Sequence, residues 1–255
     1  MGKALALVYA LCAYLVFFLT FLWFVAFVGD IRQVFDFAVP TTVDAARMSA
    51  PTMTAIVINL ALVAIFGAHH SIAARIGFKD KLTRSVPKSV ERSTYVLVAS
   101  LLLAALMWFW HPIDTPVWII NGVFDGMLSN AIWVLFWIGW VILFTSTWLL
   151  NHFELFGLQQ AAYHGHPDGP PAMSMKTPGY YRFVRHPIYL GFFIALWATP
   201  EMSVGHLVLA ASMTVYILIG IRYEEKDLVA HFGEDYSEYQ KKVGPLLPGI
   251  GKSRA

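Results

Sequence analysis

RHPIYLGFFIALWATPEMSVGHLVLAASMTVYILIGIRYEE, residues 185–225, decides how the rest of the chain is to be read. Between positions 188 and 221 the only charged side chain is Glu201. A single helix over that run would be about 50 Å long, against a hydrocarbon core of roughly 30 Å. Pro200 and Gly205 interrupt it, so the pattern predicts a helical hairpin. Its first arm is short, about 20 Å if it starts at Pro187. That arm therefore either crosses only part of the bilayer or starts below the cytoplasmic headgroups.

Outward from the hairpin the chain remains apolar. Of 255 residues, 58% are hydrophobic and 13% charged, where soluble domains carry about a quarter charged. Apolar runs at 5–28, 53–68, 94–110 and 131–150 precede the arms 188–200 and 204–221. We expect an all-α integral membrane protein of about six transmembrane helices, the last two a hairpin, followed by an amphipathic helical tail. The run 5–28 is long enough to span and is followed by no small-residue cleavage site, so it reads as a retained anchor. Cys12 is the single cysteine, which excludes an intramolecular disulfide and a cysteine-based metal site. A formal charge of +2 gives no electrostatic case for nucleic acid.

Basic residues set the orientation. Arg75, Lys79, Lys81, Arg84, Lys88 and Arg92 fall between the second and third spans, while 111–130 holds no lysine or arginine. With Lys176, Arg182 and Arg185 on the same side, the count predicts cytoplasmic termini. Arg32 and Arg47 fall on the other side, a mild exception.

The hairpin brings its two ends together. Arg185, His186 and Pro187 open the first arm; Arg222, Glu224 and Glu225 close the second. Proline suits the first helical turn, and a helix N-terminus favours an anion. The glutamates favour an ammonium, a sulfonium or ribose hydroxyls, so the two ends suit a zwitterion carrying a sugar. The same groups also fit interfacial anchoring, with Arg185 snorkelling and the glutamates balancing Arg185, Arg222 and Lys226.

RHPIYLG followed by EEKDLVAHFGEDYSEYQKKV resembles the C-terminal signature of membrane methyltransferases related to isoprenylcysteine carboxyl methyltransferase. That resemblance implies an S-adenosylmethionine site lined by Arg185, His186, Pro187, Tyr189, Gly191, Glu224 and Glu225. It also implies a division of labour, 1–175 contributing the acceptor site and 176–255 the cofactor-binding hairpin and tail. No glycine-rich strand–turn–helix unit of the soluble nucleotide-binding type is visible. The tail 226–243, with Leu228, Phe232, Tyr236 and Tyr239 at helical spacing, reads as a surface helix, broken at Phe232-Gly233, that either covers the site or anchors at the interface.

Polar clusters elsewhere bear on the acceptor. His69 and His70 end the second span, Glu91 and Arg92 begin the third, and His152 and Glu154 follow the fourth. All face the cytoplasm in the expected topology. Together with FVGD and VPTTVD after the first span, these stretches resemble the bacterial methyltransferases that convert methanethiol to dimethyl sulfide. A small thiol must be ionised to attack, since the neutral form is a weak nucleophile. His152 is the first candidate base and His70 the second, with Arg75 or Arg92 as stabilising cations. No metal is needed. Two alternatives stand beside this reading: a lipid acceptor (a prenylcysteine carboxylate or phospholipid amine), and a non-enzymatic membrane protein of the nitrogen-oxide respiration type. Residues 165–179 form a Gly/Pro-rich loop, either a lid or a plain connection. Oligomeric state is not readable from the chain.

Overall fold

The computed structural model describes residues 2–34, 37–73, 75–120, 122, 126–171 and 174–252. The helices are α1 (Lys3–Val28), α2 (Thr52–Ala73), α3 (Ile76–Leu82), α4 (Lys88–Trp108), α5 (Met127–Leu150), α6 (His152–Leu155), α7 (Leu158–Ala162), α8 (Pro187–Trp197), α9 (Val204–Phe232) and α10 (Glu234–Lys242). Extended pieces are confined to β1 (Gln33–Val34), β2 (Phe37–Ala38), β3 (Pro116–Ile119) and β4 (Glu201–Ser203). The protein is an all-α integral membrane protein.

Among the described residues five helices, α1, α2, α4, α5 and α9, are long and apolar enough to cross a membrane. The expected sixth span is α8, whose 11 residues reach only about 16 Å at the usual rise. Two boundaries differ from the sequence reading. α4 starts at Lys88 instead of 94, because its polar first turns find partners: Ser89 Oγ meets His164 Nδ1 at 2.7 Å and Arg92 Nε donates to the Leu155 carbonyl at 2.8 Å. α9 runs on to Phe232 instead of ending at 221, so Glu224 and Glu225 lie inside a helix. Gly233, at φ +61°, then breaks the chain as expected, and α10 follows with Glu234 and Asp235 in its first turn and Lys241 and Lys242 in its last. That charge order complements the helix dipole.

The chain divides into two compact units. The first comprises residues 1–117, 152–171 and 202–209. Here α1 packs on α4 and α7, and α2 on α4. Ala6 and Ala10 of α1 meet Val90 and Ala161, small side chains that let helices approach closely. Asn59, fully buried, donates to the His111 carbonyl at 2.8 Å and accepts the His111 N–H at 3.0 Å. The start of α9 belongs to this unit. Val204 and Gly205 donate to the carbonyls of Thr115 and Ile113, and Ser203 Oγ accepts the His206 N–H while donating to Asp44 at 2.5 Å. Burial pushes the Asp44 carboxyl up to about 6.

The second unit comprises residues 118–151, 172–201 and 210–255. Its centre is the contact of α5 with α8. A Cβ on Gly191 would stand 2.6 Å from the Gly139 carbonyl oxygen and 2.7 Å from the Leu143 nitrogen, so only a bare backbone fits. Trp140 packs edge-on against Phe192 beside it, centroids 5.9 Å apart.

Candidate functional site

In the second unit the site is built where α8 begins. Pro187 takes the first helical position, and helix geometry leaves the first-turn N–H groups without intrahelical acceptors. The residues just ahead are tied to the tail. Val184 bridges in parallel to Gly244, the Arg185 N–H donates to the Gly244 carbonyl at 2.9 Å, and the His186 N–H to Pro245 at 3.0 Å.

The Arg185 side chain is buried and works in the same direction. Its Nε donates to Glu225 Oε1 at 2.6 Å, and its Nη1 donates to the carbonyls of Gln240, at 3.1 Å, and Val243. Glu225 is thereby enclosed. His186 Nε2 lies 3.1 Å from the same Oε1, and Gln240 Nε2 donates to Oε2 at 3.2 Å. A carboxylate only accepts, so His186 carries its hydrogen on Nε2.

The adjacent glutamate is in a different situation. Glu224 Oε2 accepts the Tyr189 hydroxyl at 2.8 Å, and its Oε1 lies 4.0 Å from His186 Nδ1, beyond hydrogen-bond reach. The Glu224 side chain is 44% exposed, that of Glu225 18%. One carboxylate is spent on holding the mouth together; the other remains accessible. An open cavity of about 830 Å³ lies along this part of α9, lined by Arg222, Tyr223, Glu225, Lys226 and Gln240 among others.

The expected ligand set thus divides by geometry. His186, Tyr189 and Glu224 stand together, with Glu225 and Arg185 behind them as their fixed partners. Gly191 has another job, since it faces the α5 backbone as described above.

In the first unit the three polar clusters of the sequence do meet. The His70 ring lies 5.3 Å and the His69 ring 6.2 Å from Tyr95, whose hydroxyl donates to the His70 carbonyl at 3.2 Å. Arg92 covers the same tyrosine, Cζ 5.1 Å from its centroid. Phe17 and Phe156, stacked at 4.1 Å, pack against Tyr95 and continue to His152, which lies 4.8 Å from Phe156. His152 is buried, and its Nε2 is held 2.8 Å from the Tyr14 hydroxyl. Burial pushes the His152 imidazole below its usual value, which keeps the ring neutral near pH 7. Gly157, at φ +86°, makes the turn behind it; a Cβ there would collide with Ser93. Arg75 opens α3, half-buried.

Sequence reasoning missed Tyr14, Tyr95 and Gln240. Tyr14 leaves the faintest signal, one of three hydroxyls, with Tyr9 and Thr20, inside the apolar run 5–28. Of the loop 165–179, expected as a lid or a connection, Ala172 and Met173 lie outside the described residues.

Comparison with known proteins adds a separate line of observation. The family model described as "Protein of unknown function (DUF1295)" matches residues 80–243. "Methanethiol S-methyltransferase 1" of Bradyrhizobium diazoefficiens is 46% identical over 96% of this chain and 83% of its own length. "Methanethiol S-methyltransferase" of Mycobacterium tuberculosis is 44% identical over 97% of this chain and 98% of its own. The similarity extends to "Nurim" of Xenopus laevis, 30% identical over 82% of this chain and 75% of its own length. No solved structure matches.

Proposed function

The chain belongs to the DUF1295 family and to the methanethiol S-methyltransferases, and on that footing we propose that it transfers a methyl group from S-adenosylmethionine to methanethiol, giving dimethyl sulfide. Relatives bearing that name align with nearly the whole chain, which disfavours a lipid acceptor and a non-enzymatic role. The observation that carries the cofactor reading is the pair of adjacent glutamates, one enclosed by Arg185, His186 and Gln240, the other half-exposed beside Tyr189.

That arrangement fits the donor. Glu224 keeps acceptor capacity for an ammonium or ribose hydroxyls, and the positive end of α8 suits a carboxylate. When bound, S-adenosylmethionine supplies a methyl group on a cationic sulfur. His186, Pro187, Tyr189 and Glu224 would hold it, with Arg185 and Glu225 fixing their positions; residues 176–255 carry this half of the work.

Residues of the first unit prepare the thiol. A simple thiol titrates near 8.5 or above, so at neutral pH it reacts slowly without a base. His152 is buried and neutral, and so able to accept a proton. Its Nε2 is already engaged by Tyr14. The route is therefore a relay in which Tyr14 Oη takes the thiol proton while its own hydrogen moves to His152 Nε2. Arg92, held over Tyr95, and Arg75 supply positive potential for the thiolate, and His70 is the second candidate base. The distribution of Lys and Arg supports a cytoplasmic placement of these groups in an inner membrane.

The test is calorimetric titration of the detergent-purified protein with S-adenosylhomocysteine, followed by headspace gas chromatography of dimethyl sulfide from methanethiol. Binding with product formation is the expected result. A folded protein that binds nothing and yields no dimethyl sulfide would sink the reading.

A further inference from the structure

The two tyrosines of α10 are treated differently by the fold. Tyr239 spends its hydroxyl on the Tyr181 carbonyl. Tyr236, 4% exposed, buries its hydroxyl oxygen with no hydrogen-bond partner among the described residues. Leaving a buried hydroxyl unpaired forfeits its hydration with nothing in return, so such a group calls for an explanation.

Its position supplies one. Tyr236 and Gln240 are one turn apart on the same face of α10, and Gln240 reaches Glu225 at 3.2 Å. Glu225, Arg185 and Glu224 all act electrostatically on the Tyr236 hydroxyl, which burial and the two carboxylates keep protonated. Glu224 and Glu225 bring carboxylate oxygens, while Nε and Nη1 of Arg185, Nε2 of His186 and the Tyr189 hydroxyl are already committed. A carboxylate drawn to the positive end of α8 would gain from a neutral side-chain donor beside it that is not yet engaged.

We propose that the Tyr236 hydroxyl is a ligand-binding group that donates a hydrogen bond to the carboxylate of the amino-acid end of the methyl donor. This rests on the donor being an S-adenosyl amino acid bound beside Glu224. α10 then does more than cover the site: it contributes a contact to the ligand.

The test compares wild type and Tyr236→Phe, full-length in detergent, titrated with S-adenosylhomocysteine and with 5′-methylthioadenosine, which lacks the amino acid. Unliganded melting is recorded for both. The expected result is an affinity for S-adenosylhomocysteine weakened about tenfold, equivalent to about 1.4 kcal/mol, with unchanged affinity for methylthioadenosine and an unliganded melting temperature equal to or above that of the wild type. Equal binding of S-adenosylhomocysteine by both proteins would overturn the assignment, as would a matching loss for methylthioadenosine. A fall in unliganded melting temperature would give the hydroxyl a structural role and overturn it too. Failure of the wild type to bind either compound would remove the donor reading itself, a result distinct from the other three.

Discussion

The mouth of α8 and the packed surroundings of His152 handle buried polarity in opposite ways. At the mouth, charge meets charge. Arg185 and Glu225 are both drawn in from water and each is surrounded by further hydrogen bonds. Around His152 the fold uses neutral groups, an imidazole bound to a phenol and flanked by aromatic rings. An enclosed ion pair gives rigidity, because removing one member strands the other. A neutral dyad gives reactivity, because a proton can move along it without first breaking an ion pair. The first arrangement suits holding a charged cofactor, the second suits activating a weak acid.

Breaking the charged side should have the largest effect. Glu225→Ala strands a buried guanidinium and is expected to destabilise the protein by about 3–5 kcal/mol, seen as loss of monodisperse protein and a lower melting temperature. Glu224→Ala should leave melting almost unchanged while abolishing S-adenosylhomocysteine binding in the calorimeter. Equal melting losses for the two variants would erase the distinction between the glutamates.

On the neutral side, His152→Ala should reduce turnover by at least about 10²-fold, the lower end of what a general base contributes, with cofactor affinity preserved. Because burial lowers the His152 value, the acid limb of the wild-type rate profile should fall below pH 6.5. Tyr14→Phe removes the hydroxyl through which the proton passes and should lose rate to a comparable extent. Gly191→Ala probes the helix contact behind the mouth and should cost about 1–3 kcal/mol by overpacking, read by thermal melting.

Asp44 is an intermediate case, a half-buried carboxyl with a hydroxyl partner and no cation bonded to it among the described contacts. It titrates at about 6 in the fold against 3.8 in a free chain, so stability is lost as pH rises from about 4 through 6. Asp44→Asn should flatten that part of the melting-temperature profile, the smallest of these effects.

Much of the fold was legible because membrane insertion leaves a coarse signal. The hairpin followed from one carboxylate, one proline and one glycine in an otherwise uncharged run, and the break at Gly233 from a glycine after the apolar spacing. The continuation of α9 past 221 was not legible, since the helix persists there on partners such as Arg185 and Gln240 that are remote in sequence. Gly191 illustrates a different limit. A motif assigned it to the cofactor, while the need for a bare backbone arises from Gly139 and Leu143 on another helix. Tyr14 was hidden because one hydroxyl among aliphatic and aromatic residues looks like packing until its partner is placed opposite. The convergence of His70, Arg92 and His152 was readable from their positions at span ends; the phenyl rings joining them were not.

The ties of Arg185 also bear on the order in which the protein matures. Its acceptors on Gln240 and Val243 lie 55 and 58 residues downstream, beyond every helix long enough to span. During synthesis the helices can therefore enter the bilayer while the mouth of α8 is still without its clasp. On the proposed cofactor reading, competence to bind would arrive late, once residues 240–243 have been made. A ribosome-stalled or proteolytically shortened chain ending before residue 240 would be correctly inserted yet inert.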